Sequence, residues 1–455
     1  MQSEKYDVVV VGSGLGGVGA AALLSHWGYK TLVVEKLNRV GGRWSNYDYE
    51  GFWLPTGALA LLYHGTEIEE IYNEVKAETE FVRVPKVSYR IGGKDWEMPA
   101  KGAIGAMLDI VEKIAQEKGQ KEGPTGTFSA EKITQAFHEG IQNRANLGLI
   151  TLKDYFLRHT DNEMAIGIFE TISNTICGAH SYEIQAAAFF SFLVASRGFR
   201  DVSIAPKGNL ANIESLVEVV RANGDVWTNS PAKRIVVEGG RAKAVVVEKD
   251  GQEIEVASQV VISNAGPKAT VGLAGAQNFD EGYLADVRVK LRPHPVTICL
   301  IASDRPIWPE DGSPAYLMIV GARRISSVVP LSNISPHFAP PGQYLTFCFC
   351  GPVSNEVRMN PEEEEEQILL DLKEQFPLFE KHGRILKMVF KNVDDDLPEM
   401  RARCGEGLPI STPIKNLYNV GDGCDVYGYS GSNLATGSAK LVAETIKNGI
   451  KPRKA

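Results

Sequence analysis

The sequence predicts an α/β chain: a parallel-sheet nucleotide-binding domain made of separated pieces, with a second, α+β domain inserted between them. Three observations predict it. The N-terminal residues read as strand, glycine turn, helix and strand, all in register. The same texture returns near residue 206 and again near residue 417, and the stretches between lose it. With 455 residues, the chain also exceeds the roughly 250–300 at which single cores stop growing.

The first unit is YDVVVVGSGLGGVGAAALLSHWGYKTLVVEK. Tyr6–Val11 is the unbroken apolar run expected of a parallel strand covered on both faces. Gly12, Gly14 and Gly17 place G-x-G-x-x-G at the strand-to-helix junction. Gly12 permits the tight turn, Gly14 lets the backbone approach a pyrophosphate, and Gly17 lets the helix pack closely on the sheet. The free N–H groups and dipole of that helix then face the phosphates. Thr31–Val34 forms the next strand, and Glu35 closes it, where a carboxylate can accept both ribose hydroxyls. A lone glycine motif is weak evidence, but the agreement of all five parts makes the unit Rossmann-like.

The next stretch, RVGGRWSNYDYEGFWLPTGALAL, separates the candidate nucleotides. A plain NAD dehydrogenase would continue with another helix–strand unit. This chain has Gly41-Gly42-Arg43, an aromatic hairpin-like run, and then Gly57-Ala58. Here the sequence resembles the amine-oxidase and phytoene-desaturase superfamily of FAD flavoproteins. The resemblance is carried by GSGLGG, Glu35, VGGR and the GF-x-x-x-x-GA segment. It implies a Rossmann-like FAD-binding domain with an inserted α+β substrate-binding domain. It also implies that Gly41, Gly42 and Arg43 lie along the FAD pyrophosphate, and that Gly57 and Ala58 approach the flavin ring. Arg43 can pair with phosphate, and small residues let a flat ring lie against backbone.

Beyond residue 95 the texture changes. KGAIGAMLDIVEKIAQEKG and SAEKITQAFHEGI read as amphipathic helices separated by a glycine-rich loop, GQKEGPTGT. HSYEIQAAAFFSFLVASRGF (180–199) reads as an apolar helix, either plain core or the wall of an apolar substrate pocket. Residues 206–275 restore helix, strand and hairpin. By the resemblance, Pro231–Lys233 run beside the adenine, with Ala232 where the family usually has valine. Residues 276–403 again look inserted, with VRVKLRPHPVTICLIAS and GQYLTFCFCGPV strand-like and PEEEEEQILLDLKEQFP helical. The Glu362–Glu366 run reads as a solvated helix face near a dipole-favourable N-terminus. The expected division is therefore 1–95, 206–275 and 404–455 for FAD, and 96–205 and 276–403 for substrate.

LYNVGDGCDVYGYSGSNLATGSAKLVAETIKNG supplies the far half of the site. A short strand, Leu417–Val420, ends at Gly421-Asp422, and a helix follows from about Ser432. The resemblance implies that Gly421 and Asp422 bind the ribityl and pyrophosphate part of FAD. It places Gly431, Ser432 and Asn433 near the flavin, where a helix N-terminus stabilises negative charge. Asp422, Cys424 and Asp425 make a poor metal set, because mixed Cys/Asp ligation without histidine suits no common metal. A nucleophilic Cys424 would need a base, and none is visible.

Composition narrows the function classes. Net charge is −8 without a basic block beyond KPRKA, which argues against nucleic acid. The six cysteines are scattered without a CxxC pair, which fits a reducing cytoplasm. No signal-like start or apolar run of about 18 residues is expected to target or span a membrane. Peripheral membrane contact and a homodimer remain compatible with the sequence. No second fingerprint for a nicotinamide cofactor is present, so FAD would be reduced by substrate and reoxidised by oxygen, a quinone or a carrier protein. The desaturase-like branch, matched by GGRWSNYDYEGFWLP, the alanine-rich helix and PKGN, implies hydride removal from an apolar terpenoid, carotenoid-like or alicyclic compound. The amine-oxidase branch implies C–N oxidation, with Tyr427 and Tyr429 as aromatic walls and Lys290 near the flavin N5. A redox-neutral double-bond isomerase shares the same frame.

Overall fold

Six of the seven residues of the strand Lys5–Val11 are buried, as its continuous apolar run requires. The computed structural model describes residues 5–59, 61–99, 101–118, 128–198 and 202–453, so the glycine-rich loop 119–127 lies outside the described residues. Lys5–Val11 pairs in parallel with Thr31–Val34 on one side and Gln252–Ser263 on the other. Gly224–Trp227 extends the sheet beyond Thr31–Val34, and Leu417–Asn419 adds in parallel to Gln252–Ser263. Arg241–Lys249 and Ala232–Glu238 complete it as an antiparallel edge.

The helix Leu15–His26 is buried from Leu15 to Ser25. Its many glycines and alanines explain how it fits between neighbours. A Cβ on Gly19 would touch the Cβ of Ala439 on the C-terminal helix Gly431–Gly449 at 3.6 Å. Asn209–Arg221 packs on it from another side. The fingerprint helix is thus clasped by an element more than four hundred residues away.

A second seven-stranded sheet runs in the order Gly383–Lys391, Val296–Ser303, Tyr344–Cys350, Ile325–Pro330, Tyr316–Ile319, Val87–Ile91, Lys94–Glu97. All its pairings are antiparallel except Tyr316–Ile319 with Val87–Ile91. The hairpin Val87–Glu97 therefore belongs whole to this sheet, although the expected division cuts it at residue 95. Helices Ala103–Glu117, Ala130–Asn143 and Ala186–Ala195 share one apolar core with the sheet, which includes Met107, Phe137, Phe190, Met318 and Phe347.

Two expected elements differ. VRVK, at the head of VRVKLRPHPVTICLIAS, was expected to be strand-like. It instead ends a helix, Glu281–Lys290, whose N-cap Asp280 accepts a hydrogen bond from the Tyr283 N–H. The Glu362–Glu366 run sits on the helix Pro361–Gln375, yet Glu364 turns inward to a buried ion pair with Arg324 at 2.7 Å. That face is solvated only in part.

Candidate active site

A cleft of about 480 Å³ opens at the carboxyl ends of the parallel strands, where open α/β sheets place ligands. Gly12, Gly14, Glu35, Gly41, Gly42 and Arg43 line one side, and Ala58, Ala232, Gly421, Asp422, Gly431 and Ser432 line the rest. Gly17 lies beneath, where a Cβ would collide with the carbonyl oxygen of Gly12. Gly57 and Asn433 line a smaller neighbouring chamber.

Glu35 is fixed before any ligand arrives. One oxygen accepts from the Ser13 N–H and hydroxyl at 2.8 and 2.7 Å, and the other from the Leu37 N–H at 2.9 Å. A carboxylate offers about four acceptor positions, so capacity for a ribose hydroxyl remains.

Arg43 is not a free phosphate cation. Its guanidinium grips Asp422 through two bonds of 2.6 Å and also donates to the carbonyls of Pro398 and Glu399. Burial works against both charges. Each offsets that cost for the other: Asp422 raises the Arg43 pKa, and Arg43 holds the Asp422 carboxyl well below its ordinary range. Arg401 completes the group, donating its N–H to Asp422 at 3.0 Å. Burial, then the nearby charge of Arg43, pushes the Arg401 guanidinium down to about 10. Two guanidiniums against one carboxylate leave a surplus positive charge beside a helix N-terminus. That donor set fits the pyrophosphate of FAD.

Sequence reasoning missed Arg401 and Asn264. Asn264 also lines the cleft, with its amide 2.5 Å from where a Gly14 Cβ would stand. Its signal was present in SNAGP, small polar residues at the carboxyl end of a parallel strand.

The second chamber, about 100 Å³, shares Ala58, Glu399, Met400, Gly431 and Ser432 with the cleft. Leu59, Leu61, Ile176, Phe192, Val329 and Phe347 give it an apolar lining. Phe192 places the helix Ala186–Ala195 in its wall. Asn433 is committed, donating to the Leu62 carbonyl at 2.7 Å and accepting from its N–H at 3.1 Å. Lys391 and Glu399 form a buried ion pair at 2.8 Å, and the Lys391 Nζ lies 2.5 Å from where a Gly57 Cβ would be.

The three expected catalytic side chains part company. Tyr429 lines the chamber, and burial, then the charge of Glu67, pushes its hydroxyl up to about 12. Tyr427 is 52% exposed and lines neither cavity; its ring stands edge-on to that of Tyr429. Lys290 ends its helix in a half-exposed ion pair with Asp286 at 2.9 Å, one turn back. The chain enters the interior only at His294, whose N–H bonds to the carbonyl of Met400 at 2.9 Å. Lys391 is the buried lysine beside the chamber. Lys290→Ala is expected to change stability by no more than about 0.5 kcal/mol and to leave the rate of anaerobic flavin reduction unaltered. A stopped-flow trace slowed tenfold would return Lys290 to the site. The Cys424 thiol is raised by burial and then by Asp422, which keeps it protonated and poorly nucleophilic.

The flavin-containing amine oxidoreductase family model matches residues 15–446. An uncharacterised protein of Methanocaldococcus jannaschii is 25% identical over 95% of this chain and 98% of its own. A phytoene desaturase of Cercospora nicotianae is 28% identical over 58% of this chain and 45% of its own. For an all-trans-retinol 13,14-reductase of Macaca fascicularis the figures are 25%, 58% and 48%. The match thus spans about half the length of these last two relatives. Among solved structures, an oxidoreductase from Methanosarcina mazei superposes with a TM-score of 0.82 at 26% identity, covering 97% of this chain and 100% of that one. A putrescine oxidase shares the fold with a TM-score of 0.68 at 15% identity, over 98% and 99% of the chains. Since the family match runs from the fingerprint helix into the helix that closes the cleft, this chain belongs to the flavin-containing amine oxidoreductase family and is an FAD-dependent oxidoreductase.

Proposed function

We propose that FAD lies in the 480 Å³ cleft and that the chain removes hydride from an apolar substrate held in the adjoining chamber. The first sheet and its helices would form the FAD domain, and the second sheet with its helices the substrate domain. One observation carries the reading. Among the described residues lining the chamber, Glu399 is the only one with a formal charge, and Lys391 already neutralises it. An ammonium substrate would meet no free carboxylate there, whereas an apolar body would meet leucine, isoleucine, valine and phenylalanine.

Bound FAD would supply the two-electron acceptor. The N-terminus of the helix Gly431–Gly449, beside Gly431 and Ser432, stabilises negative charge on that side of the cleft. The apolar wall excludes water from the reacting bond, and Lys391 keeps a proton-bearing nitrogen next to Gly57. Electrons would then pass to oxygen, a quinone or a carrier protein.

The test is spectral. The holoenzyme, mixed without oxygen with neutral terpenoid and alicyclic compounds and separately with primary amines, should bleach with the first group. Bleaching by amines alone would overturn the reading in favour of C–N oxidation. Substrate conversion with neither bleaching nor consumption of an acceptor would make the chain an isomerase. Among the described residues no helix is long and apolar enough to cross a membrane.

A further inference from the structure

A third cavity, about 510 Å³, lies beyond the flavin-side chamber. The two have Ile176 and Tyr316 as common lining residues. The helix Ala186–Ala195 runs past both, giving Phe192 to the inner chamber and Leu193 and Val194 to the outer one. An inner space of about 100 Å³ is below the roughly 300–1,000 Å³ of ordinary ligand pockets. The outer one falls within that range. Its lining is dominated by apolar side chains such as Met107, Phe137, Ile141, Ile172 and Met318.

The polar exceptions are Tyr89, Thr134, His138, Tyr316 and the solvent-exposed Arg197. Among the described residues lining the outer chamber Arg197 is the only Lys, Arg, Asp or Glu. It follows the helix end in a left-handed conformation, φ +53°. One guanidinium nitrogen donates to the carbonyl of Gly65 at 3.0 Å. No carboxylate among the described residues forms an ion pair with it; of the acids near Gly65, Glu69 is engaged elsewhere, while Glu67 keeps one oxygen without a hydrogen-bond partner. Glu69 accepts the Gly65 N–H at 2.7 Å and faces His64, and Glu67 faces Tyr429. Arg197 therefore retains donors in the fork geometry that matches a carboxylate. With Glu67 and Glu69 close by, a single negative charge is better tolerated there than a doubly charged phosphate.

We propose that the substrate is an elongated apolar carboxylic acid. Arg197 anchors the acid at the outer chamber, and the body passes between Ile176 and Tyr316 to reach the flavin side. The reacting bond then lies within the apolar body, away from the acid group. This rests on the inner chamber being the reaction site.

Oleate and farnesoate, each paired with its methyl ester, would be titrated into the holoenzyme and followed by the flavin difference spectrum. The free acids should bind about two- to fivefold tighter than the esters, as one solvent-exposed charge pair provides. Arg197→Ala should erase that preference, and Arg197→Lys should restore part of it. Arg197→Gly, which suits the left-handed backbone, removes the guanidinium while preserving the turn. Equal binding of acid and ester by the wild type, or a preference that survives both Arg197→Ala and Arg197→Gly, overturns the proposal. If neutral terpenoids bleach the wild type and the variants alike while acids gain nothing, the apolar reaction site stands and the acid anchor falls. Bleaching by amines alone would remove both.

Discussion

Replacing Asp422 with alanine is expected to cost about 3–5 kcal/mol of stability, the usual consequence of leaving a buried charge without its partner, and to empty the protein of flavin. Asp422 is the carboxylate between Arg43 and Arg401. Without it, two largely buried guanidiniums would be left beside each other with no carboxylate between them. Chemical denaturation with flavin absorbance as a second probe checks this. A variant that unfolds within about 1 kcal/mol of the wild type and keeps its flavin would show that Arg43 and Arg401 are neutralised by something else. A double variant that also removes Arg43 should recover part of the loss. The pH dependence has a definite sign. Burial alone would raise the Asp422 pKa, but Arg43 outweighs it and the folded-state value lies below the ordinary one of about 3.9. Its contribution is therefore complete above about pH 3.9 and disappears as pH falls through the lowered folded value. The wild type should lose stability on acidification over that range, and Asp422→Asn should show a flatter profile there.

Gly17→Ala is expected to be far more damaging than Gly14→Ala, although both add one methyl to the same motif. A Cβ on Gly17 meets the backbone oxygen of Gly12, which cannot move without reshaping the phosphate-binding turn. A Cβ on Gly14 meets the Asn264 side-chain amide, which can swing aside. In the helix interior alanine would ordinarily gain about 1 kcal/mol over glycine, so a net loss reports the collision. Gly17→Ala should lose at least about 2 kcal/mol and most of its flavin. Gly14→Ala should keep the fold, with flavin affinity weakened by the displaced Asn264. Equal behaviour of the two variants would mean that the helix can shift off the sheet without cost.

The glycine turn and the terminal Glu35 were legible because their requirements are local: a positive φ, a close approach, an acid at a strand end; the Gly421-Asp422 pair was marked by the family resemblance. The meeting of Arg43 with Asp422 was not, because nothing within either segment marks a partner 379 positions away. The same holds for Tyr316–Ile319 lying parallel to Val87–Ile91, which joins two separated stretches in one sheet. Lys290 was placed near the flavin by the family resemblance, on a stretch read as strand, while the cap at Asp280 and the Asp286–Lys290 spacing favour a helix. Lys391 carries no motif at all. Only the packing of its strand against the segment of Glu399 brings it beside Gly57. Glu364 shows the converse: five successive glutamates look uniform in sequence, and the helix turns one of them toward Arg324.

The clasping of the fingerprint helix by the last helix has a consequence for biosynthesis. A nascent chain displays Gly12, Gly14 and Gly17 long before Asp422, far downstream in the sequence, leaves the ribosome. Until Gly431–Gly449 follows, the Ala- and Gly-rich face of Leu15–His26 lacks its cover and the cleft lacks one wall. Cofactor loading thereby waits for Gly431–Gly449, and a chain interrupted before that helix carries the nucleotide signature without the wall that closes the cleft.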